Sequence, residues 1–86
     1  MRIREGYYLE EHAGQTVVAS KQEPMENVIV LNETAVFLWN LMMDKQPTKT
    51  ELLKALLDRF DISTVLALGD LDTFLRSMKE NGIITE

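Results

Sequence analysis

Residues 28–42 read VIVLNETAVFLWNLM: four apolar residues, an Asn, a short polar step, and a second apolar run around a Trp. Val28 and Val30 alternate with Ile29 and Leu31, so both faces of a period-two strand are apolar, a pattern that calls for cover on both sides. Asn32 follows at once, and its side-chain oxygen can accept a bond from an otherwise orphaned amide of a first helical turn. The stretch therefore reads as a strand of about residues 27–31 running directly into a helix of about 33–43. On that helix Ala35, Leu38, Trp39 and Met42 stand at i, i+3, i+4 and i+7, while Phe37 and Leu41 fall on nearly the opposite side. A helix apolar on two faces sits between layers, and Trp39 reads as its core anchor.

Upstream, residues 6–20 (GYYLEEHAGQTVVAS) hold two short β-type runs, about 7–11 and 16–20, around His12, Ala13 and Gly14. This is a hairpin signal, with Gly14 available for a positive-φ turn position. Pro24 lies in the polar segment 21–27, which reads as a loop. Downstream, Pro47 stops the first helix. Thr48 and Glu51 then fit a capping box that starts a second helix of about 49–60, with Leu52, Leu53, Leu56, Leu57 and Phe60 on one broad side. Ser63 caps a third helix of about 64–81, whose stripe is Leu68, Leu71, Phe74, Leu75 and Met78; Gly82 ends it. Gly69 should weaken its first half by about 1 kcal/mol relative to Ala. Ile83 and Ile84 form an apolar tail expected to pack back on the core. Met42, Met43 and Met78 lie beside core stripes and read as gap fillers.

Three strands followed by three helices describe an α+β domain of winged-helix-like order, its antiparallel sheet at the N-terminus. With 86 residues, one domain spanning 1–86 is expected.

That element order suggests DNA, but the charge argues against it. The chain carries a net charge of −5, opposite to a nucleic-acid footprint. The third helix has Arg76 and Lys79 but also Asp70, Asp72 and Glu80. With no cysteine in the sequence, thiolate metal sites, disulfides and a Cys nucleophile are excluded. His12, the single histidine, reads as a turn residue. Gly6, Gly14, Gly69 and Gly82 stand alone and make no nucleotide loop. Asp70 and Asp72 suit solvated or structural roles near the helix start, with Asp72 and Arg76 as an i, i+4 pair and contact with a partner as the rival reading. No catalytic constellation emerges, so a non-enzyme is expected. No apolar run approaches membrane-spanning or signal-peptide length, and the chain is expected to be cytoplasmic, with no membrane partner.

A three-stranded sheet must have a hydrogen-bonding edge, and such an edge accepts an extended peptide as a further strand. The 27–31 strand is either that edge, with one face lining a groove, or a central strand buried on both faces. Pattern alone leaves both open.

Three segments carry a resemblance to a known family: LNETAVFLWNLM (31–42), TKTELLKALLDRFDI (48–62) and GDLDTFLRSMKENGII (69–84). Leu31, Asn32, Trp39, Asp70, Leu71, Phe74, Leu75, Lys79 and Gly82 are its most specific positions. In their order and spacing these resemble the PqqD-like family, named for pyrroloquinoline quinone synthesis protein D. Residues 10–20 (EEHAGQTVVAS) resemble the first hairpin of its non-quinone branch. Members are precursor-peptide recognition elements of ribosomally made, post-translationally modified peptides. The resemblance implies a non-catalytic adaptor without cofactor or metal, in which a leader peptide docks as an added strand. Its partners would be the precursor peptide and a maturase, often a radical S-adenosylmethionine enzyme, and not nucleic acid; the adaptor itself would be a monomer or weak homodimer. The implied peptide-binding residues are Val28, Ile29, Val30 and Leu31 on the strand and Leu71, Leu75, Arg76, Met78 and Lys79 on the helix, with Arg76 and Lys79 facing acidic leader residues. The rival readings are a winged-helix transcriptional module and a simple dimerisation domain.

Overall fold

In a computed structural model, which describes residues 1–85, the first hairpin closes on a two-residue turn. Strands β2 (Tyr7–His12) and β3 (Gln15–Ser20) pair antiparallel from Tyr7 opposite Ser20 to His12 opposite Gln15. Ala13 and Gly14 both take positive φ, +51° and +79°. A type I′ turn requires this of its two central residues, and its twist matches that of the flanking strands. Strand β4 (Val30–Leu31) pairs antiparallel with β3, Thr16 opposite Leu31 and Val17 opposite Val30. The sheet order is β2-β3-β4, so β4 is an edge. The same register continues to Ile29, whose carbonyl accepts from the Val18 amide at 3.1 Å. Regular strand is thus confined to the last two residues of the expected 27–31 stretch.

Three helices follow: α1 (Glu33–Asp44), α2 (Lys49–Arg59) and α3 (Thr64–Glu80). Each begins at a side-chain cap. Asn32 Oδ1 accepts from the Ala35 amide at 2.9 Å, Thr48 Oγ1 from Glu51 at 3.2 Å, and Ser63 Oγ from Leu66 at 3.2 Å. Helix α3 ends in a Schellman motif: Gly82 at φ +67°, its amide donating to the Lys79 carbonyl and that of Ile83 to the Met78 carbonyl.

The short terminal strands add a pairing that the periodicity did not signal. Strand β1 (Arg2–Ile3) lies antiparallel to β5 (Ile84–Thr85), Ile3 opposite Ile84. Two-residue strands carry no readable period, and only the return of the chain end brings them together. Ile83 and Ile84 are both buried.

The core gathers Leu38, Trp39, Met42, Leu52, Leu56 and Leu71 beneath the inner face of the sheet, with Val18, Ile29 and Leu31 above. The second apolar face of α1 is half-covered by the end of α2, where Phe37 meets Phe60 edge to face at 5.5 Å between centroids. Two stripe assignments differ from the periodicity. Ala67, not Leu68, is buried near the start of α3, and Leu68 is exposed, as are Leu57 and Met43. Exposure of Met43 removes it from the gap fillers, whereas Met42 and Met78 are fully enclosed. The expected Asp72–Arg76 pair is replaced across helices: Lys49 Nζ lies 2.7 Å from Asp72 Oδ1, because the start of α2 packs beside α3.

Candidate functional site

The edge position of β4 decides which of its backbone groups are spent. In an antiparallel ladder, residues opposite one another alternate between bonding inward to the partner strand and presenting their N–H and C=O outward. Leu31 and, through its carbonyl, Ile29 bond toward β3, which leaves the amide and carbonyl of Val30 directed to the open edge. The side chains alternate in the other sense. Ile29 and Leu31 are 8% and 7% exposed, whereas Val28 and Val30 are 83% and 48% exposed. Of the two apolar faces of this strand, one enters the core and the other lies open.

Beside that edge runs a groove of about 300 Å³ between β4 and α3. Its apolar surface comes from Ile29, Leu31, Ala35, Phe74 and Met78, and its polar lip from Asn32, Asp70, Thr73 and Ser77. The Asn32 cap sets the strand-to-helix corner at one end. At the other, Asn27 Nδ2 donates to Asn81 Oδ1 at 3.4 Å, joining the loop before β4 to the end of α3. Apolar residues with a few convergent polar groups thus lie next to the unpaired backbone groups of a strand edge, a combination to which an extended chain can add.

Of the residues singled out from sequence, Ile29, Val30, Leu31 and Met78 line this groove. Val28, 83% exposed, lies outside this lining. Leu71 is enclosed in the core. Leu75, Arg76 and Lys79 lie on the other flank of α3, where they line a separate hollow with Met1, Lys49 and Asp72. The helix face that meets β4 is instead Asp70, Thr73, Phe74 and Ser77. The spacing of Asp70, Thr73 and Ser77, at i, i+3 and i+7, is a polar stripe beside the apolar one. It was legible on the helical wheel, but which side of the stripe faces the sheet is set by packing alone.

Electrostatic detail is concentrated on the outer sheet face. Tyr8 Oη donates to Glu10 Oε1 at 3.1 Å, and His12 Nε2 lies 2.9 Å from Glu10 Oε2. The contacts from His12 and then Tyr8 hold the Glu10 carboxyl below its ordinary range, and Glu10 in turn raises the Tyr8 phenol. Among the described residues, no group of three His, Cys, Asp or Glu is placed to hold a metal, and no helix is long and apolar enough to cross a membrane.

Comparison with known proteins adds the lineage. The family model of coenzyme PQQ synthesis protein D (PqqD) matches residues 10–84. The chain belongs to the PqqD family. No curated protein matches the sequence. Two solved structures share the fold of this PqqD family member. One is described as TbiB1 in complex with the TbiA(beta) leader peptide; it is 17% identical, with a TM-score of 0.71 over 96% of this chain and 93% of that one. The other is lasso peptide synthetase B1 complexed with the leader peptide; it is 19% identical, with a TM-score of 0.72 over 99% and 96% of the two chains.

Proposed function

We propose that this PqqD family member is a non-catalytic adaptor that binds the leader segment of a ribosomally made precursor peptide and presents the remainder to a separate modifying enzyme. The observation that carries the reading is the edge of β4. There the outward N–H and C=O groups of Val30 lie beside an apolar groove closed on its far side by α3. An added strand supplies the missing partners, and its side chains enter the groove alternately. Support comes also from the two fold relatives, both described as bound to leader peptides. The modifying enzyme implied by the family resemblance is a radical S-adenosylmethionine maturase, and nucleic acid has no place in this scheme. Two copies of the same edge can pair with each other, so the adaptor is a monomer or weak homodimer whose self-pairing competes with peptide.

The test is a titration of isotope-labelled protein with the leader of a short precursor encoded beside its gene. Amides of Val28, Val30 and the groove-facing turns of α3 shift selectively if the reading holds. Unchanged spectra at saturating peptide, or detectable duplex DNA binding at moderate salt, would count against it.

A further inference from the structure

The groove contains one ionisable side chain, and it is acidic. Asp70 stands on the lip formed by α3, close to the Asn32 corner, while the remaining lining residues are neutral. Arg76 and Lys79 line a different hollow on the far flank of the helix. A leader selected by basic helix residues would be acidic; the side chains that face this groove favour the opposite sign.

Asp70 is also short of donors. Its one hydrogen-bonding neighbour is Thr34, whose Oγ1 lies 3.3 Å from Asp70 Oδ2 and 3.0 Å from Asn32 Oδ1. A hydroxyl has a single proton, so it serves one of these acceptors at a time, and the shorter contact is to Asn32. A carboxylate accepts at about four positions. Half-buried beside the apolar residues Leu31, Ala35 and Phe74, Asp70 therefore holds at most a share of one donor. Water satisfies its remaining positions while the groove is open. A peptide strand that covers the groove removes that water and must bring a replacement, or leave the carboxylate unpaired at a cost. A charged donor answers this best, since charge-assisted bonds are roughly twice as strong as neutral ones. The net charge of −5 further favours the approach of a cation.

We infer that Asp70 selects a Lys or Arg at one fixed position of the bound peptide, at the end of the added strand that lies against Asn32. This rests on the strand-addition reading. Thr73 and Ser77, further along the same lip, add neutral hydrogen bonds and no charge preference.

A displayed library of random 12-residue peptides, selected on the intact protein and followed by fluorescence anisotropy on individual winners, tests it. Enriched peptides are expected to share apolar residues at alternate positions and one invariant Lys or Arg. Exchanging that residue for Gln should weaken binding tenfold or more, and for Glu further still. In Asp70→Asn, which keeps the side chain's shape and its contact with Thr34, the Lys and Gln peptides should bind within twofold of each other at an unchanged melting temperature. In Asp70→Lys the order should invert in favour of Glu. Winners that shift the amides of Val28 and Val30 yet share no basic position would overturn the inference and leave strand addition standing. So would a preference for Lys that persists in Asp70→Asn. If no selected peptide shifts those amides, strand addition itself fails, and the role of Asp70 with it.

Discussion

Thr48 and Glu51 each satisfy the other's backbone. The Thr48 amide donates to Glu51 Oε1 at 3.0 Å, and the Glu51 amide donates to Thr48 Oγ1 at 3.2 Å. The Thr48 amide first, and its hydroxyl second, hold the Glu51 carboxyl below its ordinary value of 4.5. A carboxyl lowered in the folded state takes up a proton more readily when the chain unfolds. Its contribution to stability is therefore complete above about pH 4.5 and is lost as the pH falls through the lower, native value. Glu10 acts with the same sign. Melting temperature should be level near neutral pH and decline below about pH 4.5. Glu51→Gln should melt lower at neutral pH and decline less steeply with acid. An unchanged slope in Glu51→Gln would remove the capping box from the pH response.

Gly69 lies in the middle of α3, and a Cβ built there meets nothing within 4 Å. Its effect is therefore the loss of backbone freedom alone, without any compensating close approach. Gly69→Ala should stabilise by about 1 kcal/mol, a rise of roughly 4–8 °C in melting temperature for a domain of this size. Thermal unfolding measures it, and peptide affinity should not change.

Ala13 occupies a left-handed position at φ +51° in the hairpin turn, where a Cβ costs about 1–2 kcal/mol and Asn is better tolerated. Ala13→Asn should raise stability by roughly 0.5–1 kcal/mol by making an Asn-Gly type I′ turn. Gly14→Val, with a β-branched residue forced to φ +79°, should lower it. Chemical denaturation of the two variants, moving in opposite directions at constant slope, is the check.

Val30 directs its N–H away from β3, so removing that N–H spares the existing ladder. Val30→Pro sits at the first residue of an edge strand, where proline is tolerated. The variant should keep helical content and a cooperative melt, yet lose at least tenfold in affinity for any peptide that pairs with β4, about 1.4 kcal/mol. Full affinity in a folded Val30→Pro protein would place the peptide elsewhere than on this edge.

Much of the architecture was legible locally. Asn32, the Thr48–Glu51 box, Ser63 and Gly82 mark helix ends by chemistry that acts within four residues, and all four do so in the structure. The Ala13-Gly14 turn is equally local. Leu38, Trp39 and Met42 share one stripe by period, and all three are core residues, while Phe37 and Leu41 on the second face are only partly covered. The terminal β1–β5 pairing was not legible, because it joins residues 2–3 to 84–85 through strands too short to show a period.

The sequence by itself thus determined the first hairpin, the three helices, their order and the apolar character of residues 28–31, since capping, turn conformation and hydrophobic period are properties of near neighbours. Whether those residues form an edge or a central strand was decided by tertiary structure, through the register of β4 on β3. So was the face of α3 that meets them. The helix carries basic residues on one flank and Asp70, Thr73 and Ser77 on the other, and its rotation was set by burying Leu71, Leu75 and Met78 against α1 and α2. That rotation turns the basic flank away from the groove and leaves an aspartate facing it, because burial of a helix stripe is decided by the whole core and not by any neighbouring residue.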